Sequence, residues 1–414
     1  MKRIVIVGAG QAGGRAAEAL RGAGFAGEIV LFGEERHEPY ERPALSKAVL
    51  LGEQPPASTL IHPREWYVAK HVELRTQARV EAIAPLSRTV ITDDGQRIEY
   101  SRLLLCTGSR VRPLPGAPES RRGVHYLRTI EDCERLGAEL APGRRMVVIG
   151  GGFIGLEVAS SAVKRGLAVT VVERQDAFLD RVLPAEIASH VESLHRAQGV
   201  TARLGVPVTH IHGREAVESV ELADGSEFDA DLVVIGIGII PNTELAESAG
   251  AASSDGVVVD EYCRTSVDGL YAAGDVTNHY NPILERRVRL ESWQNAQNQA
   301  IAAAQNMVGE ARPYAEVPWF WSDQFDANIQ LVGVSEPGLD IVWRGDRRGG
   351  KAVAFGVADG RVRLAAGFNA GAEIRFARRL IEARAQLSPR RLADTSVKLK
   401  DLIPDKAARR SLAA

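Results

Sequence analysis

Hydrophobic positions in this chain come in short runs, and the most regular of those runs stop at glycine. Ile4-Val5-Ile6-Val7 leads into Gly8-Ala9-Gly10-Gln11-Ala12-Gly13, and Met146-Val147-Val148-Ile149 leads into Gly150-Gly151-Gly152-Phe153-Ile154-Gly155. After the first turn the pattern predicts a helix through Arg15-Ala16-Ala17-Glu18-Ala19-Leu20. The chain then passes Gly22 and Gly24 and returns in the strand Glu28-Ile29-Val30-Leu31-Phe32-Gly33, ending at Glu34 and Glu35. After the second, a helix is expected from Leu156 to Lys164, a turn at Gly166, and a return strand Ala168-Val169-Thr170-Val171-Val172 ending at Glu173. Strand, glycine turn, helix and strand is the order of a dinucleotide-binding βαβ unit.

Each glycine has a separate task. Gly8 and Gly150 permit the tight turn, Gly10 and Gly152 let the backbone approach a pyrophosphate, and Gly13 and Gly155 let helix and strand pack closely. The pyrophosphate would sit at a helix N-terminus, where free N–H groups favour negative charge. An acid at the end of the second strand, Glu34 or Glu173, is placed to accept hydrogen bonds from a ribose. One such turn alone also fits a glycine-rich bend in an unrelated α/β protein. Two copies about 140 residues apart, each in full context, imply two dinucleotides and a two-cofactor electron path.

Three further strands extend the pattern. Leu103-Leu104-Leu105-Cys106-Thr107-Gly108 precedes the Pro-rich stretch from Arg112 to Gly116, a natural boundary. Asp231-Leu232-Val233-Val234-Ile235-Gly236-Ile237-Gly238 is a strand ending in glycines that allow close approach of a cofactor. Leu270-Tyr271-Ala272-Ala273-Gly274-Asp275 puts a glycine-acid pair at a strand end, where open α/β sheets place ligands. From about Tyr314 the pattern changes to alternating strands, Lys351 to Phe355 and Arg361 to Leu364, followed by a helix from Ala372 to Gln386. The expected organisation is a first dinucleotide domain at 1–112 and 236–313, a second inserted at 113–235, and a C-terminal α+β domain at 314–414.

Composition narrows the class. The chain has 414 residues, of which 45% are hydrophobic and 25% charged, as in a soluble globular protein of two or three domains. Its longest apolar stretches are strand-length, so no membrane span is expected. The N-terminus enters a strand directly, which argues against a cleaved signal peptide and points to the cytoplasm. A net charge of -2 gives no global sign of a nucleic-acid partner. From residue 281 onward, however, 21 Lys and Arg stand against 15 Asp and Glu, while residues 1–280 carry 30 against 38. A basic C-terminal third suits an acidic partner, and a solvated face rich in arginine fits the same counts. Cys106, Cys133 and Cys263 lie far apart, which leaves no dithiol pair for a disulfide relay, and His37, His125 and the other histidines lack the spacing of a metal site.

Five motifs in order carry a family resemblance over essentially the whole length: Pro39-Tyr40-Glu41-Arg42-Pro43-Ala44-Leu45-Ser46-Lys47, the internal glycine turn through Leu156-Glu157, Gly274-Asp275, Arg289-Leu290-Glu291-Ser292-Trp293-Gln294-Asn295-Ala296, and Pro318-Trp319-Phe320-Trp321-Ser322-Asp323-Gln324. The chain resembles the FAD-dependent ferredoxin reductases that serve Rieske-type aromatic-ring dioxygenases and bacterial cytochrome P450 systems. Pro43-Ala44 stands where that family usually has two prolines, a mild departure that touches nothing catalytic.

The resemblance implies a glutathione reductase-like α/β fold with two Rossmann-like domains, FAD in the first and NADH in the second, and a C-terminal domain that helps present the flavin to a small [2Fe-2S] ferredoxin. It places FAD at Gly8, Gly10, Ala12, Gly13, Glu34, Arg42, Lys47, Val80, Thr107, Gly108, Arg128, Asp275 and Trp293. NADH it places at Gly150, Gly152, Ile154, Gly155, Glu157, Glu173 and Gly238. Lys47 and Glu157 are the implied catalytic pair, Lys47 as a fixed positive charge beside the flavin and Glu157 holding it and orienting the nicotinamide. Read from residue type alone, Val80 fits core packing, Lys47 a surface, Glu157 a helix cap, and Trp319 and Trp321 core aromatics on one strand face. Two other classes share the fold: a peroxide- or disulfide-reducing flavoenzyme, which needs a cysteine absent from residues 36–52, and a redox-responsive protein of apoptosis-inducing-factor type, which carries a longer C-terminal insertion.

Overall fold

The computed structural model describes residues 2–404. The described residues form two compact units, one of 2–44, 55–110 and 239–316, the other of 45–54, 111–238 and 317–404. The last ten residues of the expected C-terminal domain lie outside the described residues.

The first unit is built on a parallel sheet in the order Leu270–Ala272, Arg102–Leu105, Arg3–Val7, Glu28–Phe32, Val72–Arg75. Successive side chains of a strand point to opposite faces, and here both faces are covered, which is why its strands read as unbroken apolar runs. Ile4, Ile6, Ile29, Leu31 and Leu104 meet Ala16, Ala17, Leu20, Ala300 and Ala303 of the helices Gln11–Gly22 and Trp293–Val308. Val5, Val7, Val30, Phe32, Leu103 and Leu105 meet Val80, Val90, Ile98, Val257 and Val276 on the other side.

The second unit repeats the design with Thr201–Arg203, Ala168–Val172, Arg145–Ile149, Leu232–Ile235 and Val124–His125 in a parallel sheet. It also holds an antiparallel sheet in the order Trp319–Gln324, Ala327–Gly333, Arg361–Phe368, Lys351–Ala358, Asp340–Asp346, against which the helix Gly371–Glu382 buries Ile374, Ala377, Leu380 and Ile381. The strand Trp319–Gln324 runs along the helix Phe153–Lys164. The rings of Phe320 and Phe153 are 4.4 Å apart, Ser322 Oγ donates to Glu157 Oε1 at 2.6 Å, Phe325 N donates to Ser160 Oγ at 2.6 Å, and Lys164 Nζ donates to Phe325 O at 3.0 Å. Positions 153, 157, 160 and 164 share one face of a 3.6-residue helix, and 320, 322 and 324 share one face of a strand.

Several boundaries differ from those expected. Residues 45–54 join the second unit: Ser161 Oγ donates to Ser46 O at 2.8 Å and Arg165 Nη1 to Leu51 O at 3.1 Å. Gly236 also joins it, its N–H donating to Ile149 O at 2.8 Å. Tyr314 instead closes the first unit, its N–H donating to Glu261 O at 2.7 Å and its hydroxyl to Asn295 Oδ1 at 3.1 Å. The helix expected to reach Gln386 stops at Glu382, because Arg384 adopts a left-handed φ of 48° and Ala385 N donates back to Leu380 O at 3.1 Å.

Candidate functional site

The two glycine turns have matching internal geometry. Gly8 and Gly150 sit at φ 108° and 109°, where a side chain would be strained. A Cβ on Gly13 would lie 1.9 Å from Gly8 O, and one on Gly155 would lie 2.1 Å from Gly150 O, so the third glycine of each turn is fixed by contact with the first. The second glycines differ in kind: a Cβ on Gly10 would meet nothing within 4 Å, and one on Gly152 would meet its nearest atom at 4.0 Å. Both positions therefore leave a cradle open at the start of a helix, Gln11–Gly22 in one and Phe153–Lys164 in the other. Beside the first cradle, both polar side-chain atoms of Gln11 are buried with no hydrogen-bond partner among the described residues. An open cradle flanked by an unsatisfied amide fits a bound phosphate-bearing group.

The acids beyond the second strands are not equivalent. Gly8 N donates to Phe32 O at 2.9 Å and Gly150 N to Val172 O at 2.8 Å, so Gly33 occupies the place of Glu173. Gly33 is required there because its Cβ would come 2.5 Å from that of Ala9. Glu34 follows one residue later, exposed, with Arg79 Nε at 3.5 Å. Glu173 is drawn onto its own turn, accepting from Gly151 N at 2.8 Å and Gln175 N at 2.9 Å.

The remaining first-unit positions gather at the C-terminal ends of its strands. Gly274, at φ 90°, faces Ala12, whose Cβ would be 3.2 Å from a Cβ on the glycine. Gln299 Oε1 accepts from Gly274 N at 2.9 Å and Thr277 Oγ1 at 2.8 Å, which fixes the strand end that carries Asp275. Ser109 Oγ donates to Asp275 Oδ2 at 3.2 Å. Arg42 donates to Glu35 Oε1 at 2.6 Å and Tyr40 Oη at 2.7 Å. Burial pushes its guanidinium down, but Tyr40, Glu35 and Asp275 more than offset this, and its pKa ends above the ordinary value. Thr107 and Asn242 exchange hydrogen bonds at 2.8 Å each way, holding the loop that contains Gly108 at φ 60°. Trp293 opens the helix capped by Ser292 Oγ. Val80 is only 4% exposed within the apolar core, so its side chain is spent on packing and any contact with a ligand falls to its backbone.

Lys47 and Arg128 belong to the second unit. Arg128 N donates to Asp132 Oδ2 at 2.8 Å at the start of the helix Ile130–Glu139. Lys47 Nζ lies 2.7 Å from Glu157 Oε2, with side chains 17% and 2% exposed, so neither is a surface group. Glu157 caps nothing: besides Lys47 it accepts from Ser46 Oγ and from Ser322 Oγ. Burial lifts its carboxyl above the ordinary value, and Lys47, Ser322 and Ser46 oppose that shift without cancelling it. Gly238, at φ 105°, would place a Cβ 3.4 Å from Arg181 Nη2.

Ser46, Ser322, Gln324, Gln299 and Gln11 were not among the expected site residues. The signal for two of them is the strand Trp319–Gln324 itself, where Ser322 and Gln324 fall in the buried phase and Asp323 in the exposed one. Cys106 and Cys263 are buried thiols pushed above their ordinary pKa, and burial raises Cys133 to about 11, so none is a ready thiolate. Among the described residues no cluster of three or more His, Cys, Asp or Glu could hold a metal, and no helix is long and apolar enough to cross a membrane.

The pattern of the pyridine nucleotide-disulphide oxidoreductases matches residues 2–300, and that of the reductase C-terminal domain matches residues 319–403. The chain is 44% identical to the ferredoxin--NAD(+) reductase component of the anthranilate 1,2-dioxygenase system of Burkholderia cepacia, over 97% of this chain and 99% of that one. It is 39% identical to the corresponding component of the p-cumate 2,3-dioxygenase system of Pseudomonas putida, over 97% and 98%. In the crystal structure of the covalent putidaredoxin reductase-putidaredoxin complex, a chain 37% identical matches with a TM-score of 0.94 over 99% of both chains.

Proposed function

Because the chain belongs to the pyridine nucleotide-disulphide oxidoreductase family, as an enzyme of its FAD- and NAD(H)-using ferredoxin reductases, we propose that it passes electrons from NADH through FAD to a [2Fe-2S] ferredoxin feeding a Rieske-type oxygenase or cytochrome P450. The observation that carries the reading is the repeated cradle, two open glycine turns at Gly10 and Gly152 in one chain.

In this reading Gly8, Gly10, Ala12, Gly13, Glu34, Arg42, Thr107, Gly108, Asp275 and Trp293 hold FAD, with the backbone at Val80 and with Arg128 and Lys47. Gly150, Gly152, Ile154, Gly155, Glu157, Glu173 and Gly238 hold NADH. Bound FAD supplies the conversion of a two-electron donor into a one-electron source. The residues supply geometry and field: helix N-termini receive pyrophosphates, Asp275 accepts from hydroxyls, and Glu173 accepts from the adenosine ribose while repelling a 2′-phosphate. Lys47 offers a fixed cation whose direction is set by Glu157, the condition for an electrostatic stabiliser that needs no rearrangement during reaction. An acidic ferredoxin would suit the basic excess from residue 281 onward.

Heat release of the bound flavin and anaerobic addition of NADH test the reading together. FAD rather than FMN should be released, and NADH should bleach the flavin absorbance of the intact protein. Release of FMN would contradict the pyrophosphate cradle, and flavin left oxidised by NADH would contradict the second site.

A further inference from the structure

Beyond Glu157 the hydrogen bonds continue inward. Ser322 Oγ, 0% exposed, donates to Glu157 Oε1 at 2.6 Å and accepts from Gln324 Nε2 at 3.0 Å. Gln324 Oε1 in turn meets Nε2 of the buried His195 at 2.8 Å. Half-buried Lys47 thus leads into a buried line of Glu157, Ser322, Gln324 and His195, joining the loop after Ser46, the helix Phe153–Lys164, the strand Trp319–Gln324 and the helix Ala185–Ala197.

With Glu157 ionised, the line has only one consistent direction. A hydroxyl has a single proton, and Ser322 spends it on the Glu157 carboxylate, so its oxygen must accept from the Gln324 amide. That turns the amide carbonyl toward His195, whose Nε2 must then carry the proton. His195 Nδ1 is left without a partner among the described residues, a place that suits a lone pair better than an N–H. The rings of Phe178 and Phe325 stand 5.9 and 5.1 Å from His195, and burial lowers its pKa, so the ring stays neutral with one proton to place. Reversing any single link would set two buried donors or two buried acceptors against each other, and such an unmade bond is costly.

We propose that Ser322 is a positioning residue for the Lys47–Glu157 pair, held in its donating orientation by Gln324 and His195, so that the C-terminal module sets the geometry of the NADH half-reaction. This rests on the role given above to Lys47 and Glu157. A purely structural bond between strand and helix would stabilise the unit and leave that geometry alone, whereas positioning makes the rate depend on the hydroxyl.

The test compares Ser322→Ala, Ser322→Thr and Lys47→Ala, loaded with FAD, by anaerobic stopped-flow reduction with NADH, and reads the His195 tautomer in the unmodified protein by 15N NMR. Ser322→Ala should slow the limiting reduction rate about tenfold, since a small misplacement of a catalytic group is costly in rate. Its dissociation constant for NADH should change by less than about twofold, the split expected when ground-state binding is untouched. Ser322→Thr, which keeps the hydroxyl, should restore the rate, and His195 should be the Nε2–H tautomer. Gln324→Met, unable to donate to Ser322, should also slow reduction and serves if Ser322→Ala does not fold. A normal rate in Ser322→Ala beside a slow Lys47→Ala overturns the proposal and leaves the role of the pair standing, as does an Nδ1–H His195. A normal rate in both variants overturns the role of the pair and the proposal with it.

Discussion

A buried carboxylate persists only where neighbours supply the charge and protons that water would have supplied, and at Glu157 those neighbours are Lys47, Ser46 and Ser322. Lys47→Ala removes the cation and leaves the hydroxyls. If Lys47 is the electrostatic stabiliser of flavin reduction, the loss is on the order of 3 kcal/mol, roughly a hundredfold in the NADH-driven rate with FAD still bound. Stopped-flow bleaching measures it, and an unchanged rate would reduce Lys47 to a structural partner. The same variant has a signature in stability. Burial already raises the Glu157 carboxyl above its ordinary 4.5, and losing Lys47 raises it further. A raised acid favours the folded state below the unfolded pKa, and that contribution is lost as pH climbs through the folded pKa. Lys47→Ala should therefore unfold more easily in urea than the unmodified protein by a margin that widens from pH 5 to pH 8; a margin that narrows would contradict the ion pair.

At the scale of elements, the glycine turns separate packing from binding. Gly155→Ala would press a Cβ to 2.1 Å from Gly150 O and 3.2 Å from Val148 Cγ1. It should cost about 1–3 kcal/mol of stability as an overpacked contact. Gly152→Ala meets nothing nearer than Gly236 O at 4.0 Å, so thermal melting of that variant should match the unmodified protein. Its KM for NADH should rise about tenfold, equivalent to 1.4 kcal/mol, as the methyl enters the pyrophosphate cradle. Equal melting and equal KM in Gly152→Ala would place the nucleotide elsewhere. These turns and their return strands were legible because glycine spacing and apolar runs are local. Residues 45–54 were not, since their place in the second unit depends on distant Ser161 and Arg165. Nor was the end of the last long helix, where an arginine rather than a glycine takes the left-handed position. Ser322 and Gln324 were readable as a buried phase of a strand, but their partners Glu157 and His195 come from other elements.

At the scale of the whole molecule, the basic excess after residue 281 is less available than its count suggests. Arg344 is spent on the carbonyls of Leu392, Asp394 and Val397, Arg287 on those of Val259 and Asn278, and Arg289 on Asp255 and Glu291. Reversing the charge of Arg344 or Arg287 would therefore break bonds inside the fold, and ionic strength is the cleaner probe of an acidic partner. The most direct measurement is anaerobic turnover of the FAD-loaded protein with NADH and a purified [2Fe-2S] ferredoxin, scored by ferredoxin bleaching. Each NADH oxidised should reduce two ferredoxins, with kcat/KM for the ferredoxin falling as salt rises while direct flavin reduction by NADH holds steady. NADH oxidation that is no faster with ferredoxin than without it, and leaves the cluster oxidised, would contradict the account.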